Sequence, residues 1–470
     1  MLADTDTFGT APIERALLMP HDAAFESART SRIWHARHPA RYPAAILVAQ
    51  TEADVVAGVR LAAAKGWKVA VRSGGHSFPV WSLRDDCLLI DLGQLREMTL
   101  DGETGIATAT PAIQGGHDLN AFLQGYGRFF AAGACPSVGL GGFLVQGGIG
   151  WNFRGWGYAA EQVVAIDVVA ANGELLRASE TENADLFWAM RGAGPGFFGV
   201  ITRFHVRTRP IPSGLAATTQ VYPVSAFEAL LKWLGQTQHS ISPDVHLVLT
   251  TLVPDFPIPG HEGELVAVVW GLAFSETWEA AAAALEPLNS GPLVSQAYFT
   301  MPDQPTTLDA QYAFVDAGHP ANLRYRVDSA WLEGDWDAIA SASRMLVLDR
   351  PRNERGHTFF QFALPRHAPD MAMSLKTDVM VGAYIIYADE KDDEAYRAWS
   401  LAAMGALEPF TVGQYWGDSD TQHRRVKCLT DPAWERLKQI RDRRDPDQLF
   451  AGYLAGDEGY DNTNGWSGAV

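Results

Sequence analysis

Two glycine-rich runs, each holding one nucleophilic side chain, constrain this chain more than anything else in it. The first is Arg72-Ser73-Gly74-Gly75-His76-Ser77. The second is Gly133-Ala134-Cys135-Pro136-Ser137-Val138-Gly139-Leu140-Gly141-Gly142. Glycine reaches positive φ readily and has no β-carbon, so both runs let backbone amides approach a ligand, a diphosphate above all. Arg72 at a strand end offers charge for phosphates. Taken singly, each run has a plainer reading: a turn with a solvated histidine, or a tight turn beside a buried structural thiol. Gly139-x-Gly141-Gly142 is not the dinucleotide G-x-G-x-x-G opening a helix, which argues against a nicotinamide-dependent reductase.

Strands and helices alternate around these runs. Ala44–Ala49 reads as a short buried strand, and Thr51 with Asp54 as a capping box that opens a helix ended by Gly66. Trp67–Val71 is a strand feeding the His76 run, and Cys87–Leu92 is the next strand. Glu161–Ala171 and Glu174–Leu176 form a hairpin through Asn172-Gly173. Pro210-Ile211-Pro212 marks a domain crossing. Beyond it, strands at Val245–Leu252, Glu264–Leu272 and Val379–Tyr387 alternate with helices at Glu276–Leu285 and Asp392–Ala406. This pattern is an antiparallel sheet backed by helices.

Composition excludes several classes. The net charge of −18 over 470 residues argues against an extended nucleic-acid surface. Three cysteines, Cys87, Cys135 and Cys428, are not a disulfide framework. Cys87 reads as a buried strand residue. The histidines do not cluster at metal-ligand spacing, so no metal site is expected. No stretch approaches a membrane span and Met1–Met19 does not read as a signal, so the expectation is a soluble cytoplasmic protein. The 15 tryptophans suit a core and an aromatic pocket.

In order and separation, 59 residues from His76 to Cys135, the two runs together resemble the bicovalently flavinylated oxidases. These are the berberine-bridge-enzyme-like branch of the vanillyl-alcohol-oxidase superfamily. Leu89-Ile90-Asp91-Leu92 is similar to the family's strand after the histidine loop. Gly147-Gly148-Ile149-Gly150-Trp151 and Arg154-Gly155-Trp156-Gly157 resemble its flavin-embracing stretch. Asp185–Gly192, followed by Phe198-Gly199-Val200, resembles its Leu-Phe-Trp-Ala-x-Arg-Gly signature. Trp434–Leu437 to Asp445–Phe450 resembles its closing helix and turn. The likeness is strong over 40–210, weak through the middle and moderate over 412–454.

The resemblance implies an α+β fold. A PCMH-type FAD-binding domain of two α/β subdomains would span 1–210, a substrate domain 211–409, and the chain would return to the FAD domain over 410–470. It implies FAD bound covalently, with the His76 imidazole on the flavin 8α carbon and the Cys135 thiolate on C6. Electron-poor flavin carbons and nearby amide dipoles would favour that thiolate. The cradle would comprise Arg72, Ser73, Gly74, Gly75, Ser77, Val138, Gly139, Gly142, Gly147, Gly148, Ile149, Gly199 and Val200. Members usually carry Tyr-x-Asn-Tyr where this chain has Tyr415-Trp416-Gly417-Asp418, so the base is Tyr415 or Asp418. A phenol base would need its pKa lowered by a nearby cation. Gln361 points into the pocket on strand alternation alone.

The expected reaction is hydride transfer from an alcohol, on a sugar or a secondary metabolite, to FAD. Dioxygen then leaves as hydrogen peroxide. Amines and oxidative ring closures are further donors. Val138 resembles the small β-branched residue of members that admit dioxygen. The alternatives are a dehydrogenase serving another acceptor, and a flavin carrier of low turnover. The expected partners are a small-molecule substrate and dioxygen; nothing in the sequence speaks to the oligomeric state.

Overall fold

The computed structural model describes residues 16–351, 355–364, 366–454, 460 and 462. Most of the tail from Gly456 to Val470, which reads as irregular, lies outside them. The capping box forms: the Thr51 hydroxyl accepts from the Asp54 N–H, and Asp54 Oδ2 accepts from the Thr51 N–H. Gly66 ends the helix Glu52–Lys65 at φ +68°.

Three sheets carry the fold. The first has four strands in the order Leu17–Leu18, Ala45–Val48, Cys87–Asp91, Lys68–Arg72, of which the last three run parallel. The second is antiparallel, in the order Met98–Asp101, Ile106–Ala109, Val200–Arg207, Val163–Val169, Leu175–Ser179. One continuous apolar core joins these two sheets. The third sheet has eight antiparallel strands. From its centre outward on one side run Val245–Leu252, His357–Phe362, Val379–Tyr387, Arg324–Leu332 and Thr411–Gly413; on the other lie Val266–Ser275, Gly214–Pro223 and Phe299–Pro305. The expected helix after Val266–Ser275 runs longer than its sequence pattern, over Trp278–Asn289.

Period-two alternation gives the eight-stranded sheet two different faces. Leu247, Leu249, Phe360, Phe362, Val381 and Ala383 pack on the helices Phe227–Thr237, Trp278–Asn289, Trp336–Ala342 and Asp393–Ala406. Val248, Thr250, Phe359, Gln361, Met380 and Tyr384 face the opposite way and form one wall of a cavity. The C-terminal segment closes on the first sheet. Phe450 bridges Val69 in parallel, and the Asp445 carboxylate accepts from the Leu449 and Phe450 amides at 2.7 and 3.1 Å.

Arg154 is wholly buried and its guanidinium donates to the carbonyls of Gln238, Ile241, Ser242 and Val245. The segment Arg154–Gly157 therefore ties the first core to the eight-stranded sheet. It does not line the cavity, so its likeness to a flavin-embracing stretch marks a structural joint.

Candidate active site

The cavity holds about 1050 Å³ and lies between the glycine loops and the open face of the eight-stranded sheet. The loops are brought together by the lack of side chains. A β-carbon on Gly74 would stand 2.7 Å from the Gly139 amide nitrogen, and one on Gly139 would stand 2.7 Å from the Gly74 Cα. Gly75 turns at φ +76°, and a β-carbon there would overlap the Arg32 carbonyl. Ser73 Oγ accepts from the Gly142 N–H at 3.2 Å. Gly74→Ala is thus expected to force the loops apart and to abolish flavin incorporation, while far-UV circular dichroism stays near wild type. The visible absorbance of the purified protein checks this.

Both nucleophiles converge on Ser137. The His76 ring hydrogen-bonds its backbone, and Cys135 Sγ lies 3.5 Å from its Oγ. Trp34 stacks on His76 at 4.6 Å. Burial pushes the His76 pKa down to about 3. The imidazole is therefore neutral, with one nitrogen free to present a lone pair. Burial pushes the Cys135 thiol up, and the Ser137 hydroxyl and amide only partly offset this. The amide acts in the expected direction, but desolvation outweighs it.

Arg72 also differs from expectation. It lies beside Asp91 in the parallel register and is 2% exposed. Its guanidinium donates to the Asp91 carboxylate and to the carbonyls of Ala28 and Arg29. It holds the strand end while still lining the cavity, with its guanidinium engaged by protein acceptors. Ser73, Gly74, Gly75, Ser77, Val138, Gly139, Gly142, Ile149 and Gly199 line the cavity, whereas Gly147, Gly148 and Val200 do not. Gly147 and Gly148 turn at φ +90° and +80°, which presents the Ile149 amide. Val200 opens a core strand and is fully buried.

The opposite wall carries the titratable groups. Asp418 is aimed at Tyr384, whose hydroxyl donates to Asp418 Oδ1 at 2.6 Å. Burial raises the Asp418 pKa from 3.8 to about 6, against the lowering effect of that hydrogen bond. Tyr415 is 4% exposed and its hydroxyl accepts from the Ile149 N–H at 3.2 Å. Burial, then Asp418, drives its pKa up. Among the described residues no cation counters this, and the Tyr415 hydroxyl anchors the Ile149 amide. Gly417 gives the Tyr415 ring its room, since a β-carbon there would meet it at 2.5 Å. Gln361 is 5% exposed and lines the cavity.

Sequence reasoning missed Tyr384, His357 and His319. Tyr384 stacks on His357 at 5.0 Å and meets His319 edge-on at 5.6 Å. Desolvation lowers the pKa of both histidines. Alternation along Val379–Tyr387 could have singled out the inward tyrosine; the register that sets it opposite His357 could not be read.

The residues present fit FAD. Side-chain-free loops bound one end of the cavity, two nucleophiles meet within them, and the volume accommodates a large ligand. Among known families, that of the FAD binding domain matches residues 43–179. The FAD-linked oxidoreductase janO of Penicillium janthinellum is 34% identical over 433 residues, covering 90% of this chain and 94% of that protein. The xylooligosaccharide oxidase of Thermothelomyces thermophilus is 39% identical over 201 residues, covering 41% of this chain and 40% of its own. The berberine bridge enzyme of Eschscholzia californica shares the fold, with a TM-score of 0.77 at 19% identity over 93% of this chain and 95% of that one. The match to the FAD binding domain and the full-length relative together define an FAD-dependent oxidoreductase. The chain belongs to the FAD-linked oxidoreductases, on a fold shared with berberine bridge enzyme.

Proposed function

We propose that this protein oxidises a hydroxyl-bearing small molecule, with Asp418 as the base and with His76 and Cys135 each holding FAD through a covalent bond. Bound FAD supplies the two-electron chemistry, taking hydride from the substrate carbon and passing electrons to dioxygen, which leaves as hydrogen peroxide. The observation that carries this reading is the half-buried Asp418–Tyr384 pair on the wall facing the glycine loops. A carboxyl with a pKa of about 6 is ionised at neutral pH yet basic enough to take a hydroxyl proton. Tyr384 holds one carboxylate oxygen and leaves the other to the substrate hydroxyl. Gln361 offers a further hydrogen bond to the substrate. Ser137 orients both nucleophiles, and Val138 leaves room for dioxygen beside them.

The test is anaerobic stopped-flow reduction of the bound flavin by a panel of alcohols and sugars, followed by peroxide measurement in air. Failure of every donor would overturn the reading. With an active donor, the reduction rate should rise with pH through an apparent pKa near 6, because the base must be ionised. Tyr384→Phe removes the one group that lowers the Asp418 pKa, so the same limb should move to higher pH. An unchanged limb in that variant would assign the titration to another group.

A further inference from the structure

His246 is a buried polar side chain for which the catalytic reading has no task. It stands on Val245–Leu252, 4% exposed, in the cavity wall. Its ring meets Trp151 at 5.7 Å and Trp270 at 5.4 Å, both near-perpendicular. Among the described residues it makes no hydrogen bond, and its Nδ1 is wholly enclosed. A buried polar group without a partner costs free energy that phenylalanine or leucine would not. Packing therefore does not account for a histidine here.

Burial and Arg154 push its pKa down to about 4, so the ring is neutral. An enclosed nitrogen without a partner is better a lone pair than an orphaned N–H. That assigns the proton to Nε2, the nitrogen left toward the cavity. The wall on this side is mostly apolar, with Trp270, Val248, Val268 and Phe314, and carries Thr219, Thr250 and Gln311 among them.

We propose that His246 is a second recognition point for the substrate, its Nε2–H donating to a carbonyl or hydroxyl oxygen on a flat apolar skeleton. His246 stands two residues from Val248, the partner of Gln361, and is remote from Tyr384 and the base it holds. Leu252 shares a row with His357 and Tyr384, and His246 lies six residues back along the same strand, about 20 Å at ordinary strand rise. A molecule touching both ends is long, with one oxygen at the base and one at the far end. The claim rests on the oxidase reading for what the substrate is, but not for whether the chamber binds.

The experiment is equilibrium dialysis of the flavin-loaded protein against 2-acetonaphthone and its oxygen-free analogue 2-isopropylnaphthalene. Wild type should bind the ketone about tenfold more tightly. His246→Phe keeps a ring and removes the donor, so the preference should vanish while hydrocarbon binding stays within about twofold. His246→Gln keeps a donor, so a preference of about threefold should survive. His246→Phe should also melt no lower than wild type, since it removes an unpartnered polar group. Equal binding of the two probes to wild type, no binding of either, or a preference that survives in His246→Phe would overturn the proposal. A protein that discriminates in this way yet oxidises no alcohol would sink the oxidase reading alone; one that oxidises without discriminating would sink this one alone.

Discussion

Asp418→Asn is expected to yield a yellow, folded protein whose substrate-driven flavin reduction is slower by about 10²–10⁴-fold, the usual worth of a general base. Asparagine preserves the shape and still accepts from Tyr384, so flavin binding should be unchanged. Stability should move the opposite way. Burial raises the Asp418 pKa from 3.8 to about 6, so the folded state takes up a proton that the unfolded chain releases between those values. This group's contribution is present at low pH and is lost as pH rises through about 6. At pH 8 the native carboxylate is a buried charge, and the neutral variant should melt higher, by about 1–3 °C. Thermal melts at pH 4 and pH 8 separate the two effects: the gain should be absent at the lower pH. Full activity in Asp418→Asn would remove the carboxylate from the chemistry and return attention to Tyr384.

The second large effect concerns attachment. His76→Ala and Cys135→Ala should each leave FAD tethered by the remaining bond, detected as retained flavin mass after denaturation. The doubly substituted protein should release all its flavin into the supernatant. The neutral imidazole needs no activation, whereas burial pushes the thiol up. The histidine bond should therefore form over a wide pH range, and the cysteine bond should slow as pH falls. Flavin that washes out of denatured wild type would refute covalent attachment.

The parts of the site that were legible in the sequence are those written in a few consecutive residues. The two glycine runs, with His76 and Cys135 inside them, announce a close-approach cradle before any coordinates exist, because only glycine tolerates backbone at 2.7 Å where a β-carbon would stand. The capping box at Thr51 and the strand Val379–Tyr387 are equally local. The illegible parts depend on distant partners. Arg72 looked free for phosphate because nothing near it in sequence opposes its charge, but parallel pairing sets it beside Asp91. Tyr384 sits in an apolar strand that reads as core. It becomes part of the site only because the chain from 411 onward brings Asp418 against it. The sequence left the base open between Tyr415 and Asp418; the burial that drives the Tyr415 pKa up is a property of the folded molecule and could not be read from position.

The pairing of Phe450 with Val69 has a practical corollary. The strand bearing Val69 runs directly into the loop that positions His76, and its outer edge is held by Leu449–Ala451: Val69 donates to the Leu449 carbonyl and Ala451 donates back to Val69. Shortening the chain to end before Leu449 would strip that edge from the very ribbon that aims the imidazole. Changes at Leu449–Ala451 therefore bear on pigment loading, and colour per milligram becomes a direct assay of whether this segment has docked.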